Sequence, residues 1–187
     1  RINVDAALKA VRSNPHRVWS NQKPESAMNR FAADGYLTVH HTPKFRMEKS
    51  ERVFTIGSCF ARNVETILAK NGYTVLTDGF GVSKDLYYDH WNLGTDDSPI
   101  HSGVLNKYNV ASMRTEIERA LGLMTDIPDD GLIEVGPDLW YDPQASSMRP
   151  NSHATVSEVR RQLLAVNGRV AEAQMVFITL GLTETWY

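Results

Sequence analysis

The chain has 187 residues, 42% of them hydrophobic and 22% charged, with a formal net charge of −2. This is the make-up of a globular domain with one sizeable core, and a nearly neutral charge gives no basis for binding nucleic acid or an anionic membrane. A single cysteine excludes an internal disulfide framework or a Cys-rich metal site and points to a reducing compartment, the cytoplasm, while no apolar run approaches the ~20 residues needed to cross a bilayer.

Residues 1–51 carry Pro15, Pro24 and Pro43 and show no sustained periodicity. They read as an irregular N-terminal wrap, with one short helix over 5–12. The pattern sharpens at Arg52. Val53, Phe54, Thr55 and Ile56 form a β-branched and aromatic run suited to a buried strand. Gly57-Ser58 follows, and then Phe60, Val64, Ile67 and Leu68 recur at helical spacing as the expected buried stripe. Asn71-Gly72 is a helix stop, and 73–76 reads as a second strand. A strand, a tight turn, a helix and another strand make a parallel crossover unit.

Residues 78–107 read as a long loop, a length that usually carries function. Asn109 or Ser112 caps a helix to Leu121 with Met113, Ile117, Ala120 and Leu121 inward. Residues 132–135 and 139–141 form a hairpin turning at Gly136-Pro137. Thr155 or Ser157 opens a helix to about Ala173 with Val159, Leu163, Val166 and Val170 inward, and 174–180 is a strand ending at Gly181. Strand–helix alternation of this kind predicts a three-layer αβα sandwich around a parallel sheet. Three core strands are fewer than such a sheet usually has, so the domain, taken as 52–187, is expected to be incomplete at its C-terminus.

In open α/β sheets, ligands bind beyond the carboxyl ends of the strands. Two segments lie at such ends, Gly57-Ser58-Cys59-Phe60-Ala61 and Gly181-Leu182-Thr183-Glu184. A serine between strand and helix has its hydroxyl near the helix amides, which stabilise developing negative charge. The same position is also that of an ordinary N-cap. Cys59 is expected to be a small buried helix residue.

The string Gly57-Ser58-Cys59-Phe60-Ala61 resembles the signature of the GSCFA family, a branch of the SGNH/GDSL hydrolase superfamily. Further blocks follow in order: Asn71-Gly72-Tyr73, Phe80-Gly81-Val82, Tyr108-Asn109 with Ser112, residues 139–142 and residues 179–186. The resemblance implies a flavodoxin-like αβα fold and a serine-dependent acyl-ester hydrolase or O-acyltransferase. Its substrate would be a small-molecule or polysaccharide acyl ester, and the chemistry needs no cofactor. Ser58 would be the nucleophile. The oxyanion hole would come from Ser58, Gly81 and Thr183, which stands where the superfamily has asparagine, or from Asn109 instead; Glu184 would orient the site.

The superfamily's general base is a histidine in an Asp-x-x-His block after the third-block strand. No such block follows Gly181, and His16, His40, His41, His90, His101 and His153 all precede it. His153 reads as a surface residue. The base is therefore expected from a continuation of the chain or from a second chain. A rival reading is a non-catalytic carbohydrate-binding or scaffold module, with Trp19, Trp91, Trp140 and Trp186 as stacking surfaces. The spacing supports neither a nucleotide fingerprint nor a metal-ligand cluster.

Overall fold

The computed structural model describes residues 3–14, 24, 26–36, 43, 45–88, 100–124 and 131–180. The chain divides into two compact units, Arg1–Arg46 and Met47–Tyr187. In the first, helix α1 (Val4–Ser13) matches the expected short helix, and the Asn3 side chain caps it by accepting from the Asp5 amide at 2.8 Å. Helix α2 (Ala27–Asp34) corrects the reading of this stretch as irregular. Ser26 accepts from the Asn29 amide at 3.2 Å, and Gly35 closes the helix at φ 72°. The eight residues between those two caps are too few to show a periodic stripe, so the caps were the legible signal.

The second unit is built on strand β1 (Arg52–Gly57), helix α3 (Cys59–Lys70) and strand β2 (Thr74–Val75). Two small strands follow, β3 (Val82–Ser83) and β4 (Ile100–His101), paired antiparallel. Helix α4 (Val110–Ala120), the hairpin β5 (Ile133–Gly136) with β6 (Leu139–Tyr141), helix α5 (His153–Gly168) and strand β7 (Met175–Thr179) complete the order. The main sheet is parallel with strand order β2-β1-β7. It is flanked by helices, an α/β architecture consistent with a three-layer sandwich.

Strand alternation sends β1 side chains to both faces. Phe54 and Ile56 join Leu76 and Met113 in one core cluster, supported by Ile117, Val170 and Ala173. Thr55 faces α3, where its hydroxyl and that of Thr77 both bond the buried carboxylate of Glu65. Arg62 pairs with the same carboxylate at 2.7 Å. This polar seat corrects the expected stripe of α3. Ala61 and Glu65 are the buried residues, whereas Phe60 and Ile67 are 63% and 59% exposed. Periodicity alone favours the aromatic and aliphatic face, but the buried hydroxyls of Thr55 on β1 and Thr77 just after β2 are satisfied by a carboxylate above them.

The described parts of the expected loop, 78–88 and 100–107, contain β3, β4 and two 3-10 turns. Under them lies a second core of Val82, Val104, Leu105, Ala145, Met148, Val156, Val159 and Leu163. Each of its buried Val, Leu and Met side chains contributes roughly 1.5–3 kcal/mol. Helix α5 buries Arg160 and Asn167 alongside Val156, Val159 and Leu163. It ends at Gly168, and a 3-10 turn (Arg169–Glu172) leads to β7. Val176, Ile178 and Leu180 on one face of β7 are exposed, lining an apolar groove of about 510 Å³ with Val110, Met113 and Ile117. A parallel strand apolar on both faces is the pattern of a sheet covered on both sides. Among the described residues, no helix is long and apolar enough to cross a membrane.

Candidate functional site at the end of β1

Ser58 is 2% exposed and stands between β1 and α3 as the helix N-cap. Its hydroxyl oxygen accepts from the Phe60 amide at 3.4 Å, which leaves the O–H free to donate. Cys59, expected to be buried, is exposed instead, because the serine takes the inward cap position and the next side chain turns outward.

Gly57 has φ 148° and pairs with Thr179 of β7. A Cβ at position 57 would lie inside van der Waals contact of the Thr179 hydroxyl, carbonyl oxygen and amide nitrogen. Glycine is therefore required both by the dihedral and by the approach of β7. The Thr179 hydroxyl is buried without a hydrogen-bond partner among the described residues. Thr179→Val is expected to leave the thermal unfolding midpoint unchanged or slightly raised, because no hydrogen bond among the described residues is lost and a polar atom unmatched by them is removed.

On its other side Gly57 bridges to Asn106, and its carbonyl oxygen accepts from the Lys107 amide at 2.7 Å. Asn106 is buried, its Nδ2 lies 3.4 Å from the Tyr108 hydroxyl, and its Oδ1 has no partner among the described residues. The Ser58 turn is thus flanked by two side chains, Asn106 and Thr179, with unmet hydrogen-bonding capacity. Buried polar atoms of this kind are few in folded proteins, and they gather where a ligand or water completes them.

Lys107 carries the arrangement inward. Its Nζ donates to the Gln144 carbonyl and sits 3.8 Å from Glu116. Glu116 takes the Arg160 guanidinium at 2.5 Å and the Asn167 amide at 3.1 Å, while Arg160 also reaches Asp142 at 3.2 Å. All four charged side chains are at most 3% exposed. Burial pushes the Lys107 ammonium pKa down, and attraction to Glu116 opposes that shift.

The other expected site residues are distributed unevenly. Gly81 directly precedes β3, on the small ribbon, while the segment bonded to the end of β1 is Asn106-Lys107. Asn109 caps α4, its Oδ1 accepting from the Ser112 amide at 2.8 Å. Thr183 and Glu184 lie outside the described residues, as do His16, His40, His41, His90, Trp19, Trp91 and Trp186. His153 opens α5 on the surface, as expected, its ring set edge-to-face against Trp140 with the ring centroids 4.6 Å apart. Among the described residues, no group of three or more His, Cys, Asp or Glu is arranged to hold a metal. Asn106 and Lys107 were missed in the sequence. The available signal was the apolar pair Val104-Leu105 running straight into an asparagine three residues ahead of the α4 cap.

Parallel sheet, glycine-bounded turn and helix-capping serine define an α/β protein with a polar site at the carboxyl end of its central strand. The chain belongs to the GSCFA family, whose model matches residues 52–187. No match was found among curated proteins or among solved structures.

Proposed function

We propose that this protein is a serine-dependent acyl-ester hydrolase or O-acyltransferase of the SGNH type, with Ser58 as nucleophile. The observation that carries the reading is the position of Ser58. It is held at the end of the central strand and the start of a twelve-residue helix, between Asn106 and Thr179. In the proposed reaction the Ser58 oxygen attacks the ester carbonyl carbon while a base accepts its proton. The carbonyl π pair moves to oxygen, and its return expels the alcohol, which takes the proton back from the base. Water or an acceptor hydroxyl then attacks the acyl-serine by the same steps in reverse order. By family analogy the base is the histidine of an Asp-x-x-His block, which the described residues do not contain. The oxyanion is met by the Ser58 amide and the α3 N-terminus, with the Asn106 side-chain amide better placed at the strand end than Asn109, which is engaged as a cap. An acylated carbohydrate or polysaccharide is the proposed substrate class, by family analogy.

The rival reading, a non-catalytic carbohydrate-binding or scaffold module, draws on the burial of Ser58 and its use as a cap. Fluorophosphonate labelling of the longest natural form decides between them, with the modified peptide identified by mass spectrometry. Label on Ser58 that disappears in Ser58→Ala is the expected result. A folded protein that takes no label at Ser58 would put the binding module in front.

A further inference from the structure

We infer that the buried cluster of Lys107, Glu116, Arg160 and Asp142 is a positioning device for the Ser58 site, and not a source of stability. This rests on the reading of Ser58 as nucleophile.

The cluster joins four separate segments: the end of the long connection, α4, the turn after β6, and α5. It holds two cations and two carboxylates, so it is neutral as a whole, and all four are withdrawn from solvent. Such groups lose their hydration on folding, and well-packed apolar residues in their place are often as stable or more so. What charged groups provide and apolar ones do not is direction. The hydrogen bonds of Arg160 to Glu116 and Asp142 fix the angle at which α4, α5 and the turn after β6 meet, and Lys107, 3.8 Å from Glu116, is oriented by its bond to the Gln144 carbonyl.

Lys107 is the member that transmits that direction. Its side chain ends in the cluster, while its main-chain amide makes the 2.7 Å bond to the Gly57 carbonyl, one residue before Ser58. Asn106, the immediate neighbour, is the bridge partner of Gly57. Gln144 closes the frame: its carbonyl accepts from Lys107, its amide donates to Asp142 at 2.8 Å, and its Oε1 accepts from Ser112 of α4 at 2.7 Å. A rotation of Lys107 would therefore move both the Asn106 side chain and the last hydrogen bond of β1.

The test uses the paired substitution Lys107→Met with Glu116→Gln in the longest natural form. One cation and one anion are removed together, and Arg160 remains matched by Asp142. The thermal midpoint is expected to stay within a few degrees of the unmodified protein. The rate of Ser58 phosphonylation is expected to fall by about 10-fold to 100-fold, the scale of a site displaced by a fraction of an ångström to an ångström. With p-nitrophenyl acetate, kcat is expected to fall with KM unchanged, since the frame aligns the reacting groups without touching the substrate. A folded double variant labelled at the unmodified rate would overturn the inference while leaving Ser58 as nucleophile. Failure of the double variant to fold would overturn it too, by making the cluster a stabilising element. Lys107→Met alone, in which Glu116 keeps Arg160 and Asn167, is expected to show the same fall in labelling rate, and labelling at the unmodified rate would overturn the inference as well. Absence of label on the unmodified protein removes the Ser58 reading and this inference together.

Discussion

Glu116→Gln is expected to lower the unfolding free energy by about 3–5 kcal/mol, the cost of breaking a buried ionic cluster from one side. Glu116 is fully buried and faces Arg160 at 2.5 Å, Lys107 at 3.8 Å and the Asn167 amide at 3.1 Å. Neutralising it leaves two buried cations against the single carboxylate of Asp142. The new amide also brings N–H donors into a site whose neighbours are themselves donors. Urea unfolding followed by circular dichroism should show a lower midpoint with an unchanged slope, since the surface exposed on unfolding is the same. Adding Lys107→Met should recover most of the loss, because it removes the surplus charge. A loss below about 1 kcal/mol for the single variant would mean that the carboxylate is not the partner of both cations.

The pH dependence of that variant follows from Lys107. Burial already holds its pKa below the ordinary 10.5, and Glu116 is the leading group opposing the shift. Without the carboxylate the folded-state pKa falls further. Between that lowered value and 10.5, the unfolded chain binds more protons than the folded one, so stability rises with pH. The deficit of Glu116→Gln should therefore be largest below that lowered pKa and shrink as the pH rises from it towards the ordinary 10.5.

Gly57→Ala is expected to cost about 3 kcal/mol or more, from backbone strain and overpacking acting together. At φ 148° an L side chain is strained, and the added methyl would meet Thr179 backbone atoms that are held in the β1–β7 ladder. The strands must part at the residue that precedes Ser58, so loss of fluorophosphonate labelling should accompany the loss of stability. Gly72→Ala isolates the contact from the strain. Gly72 has φ 77° and open space where a Cβ would stand, so about 1–2 kcal/mol of dihedral strain is all that should appear. Equal costs at the two positions would show that the approach of Thr179 is not what reserves position 57 for glycine.

The sequence by itself determined the features that depend on neighbours along the chain. The run 53–56, the Gly57-Ser58 turn, the stop at Asn71-Gly72 and the last strand are present, and so is the hairpin, with its turn one residue later than expected at Pro137-Asp138, because propensity, capping and turn chemistry act within a few residues. Ser58 was legible for the same reason, since a strand that ends in Gly-Ser before a helical pattern marks the residue at the top of the sheet.

Only the tertiary structure decided which residues surround it. Asn106 and Thr179 reach Gly57 from segments roughly fifty and a hundred and twenty residues away, through pairings that no local pattern encodes. The inward faces of the helices were settled in the same way. Towards α3, β1 presents Thr55 and the turn after β2 presents Thr77, which turns Glu65 inward and leaves Phe60 outside. On α4 and α5, Glu116 and Arg160 are buried because each supplies the charge the other needs. A charged residue reads as solvent-facing in a sequence. Its burial depends on a partner that only the fold brings within hydrogen-bonding distance.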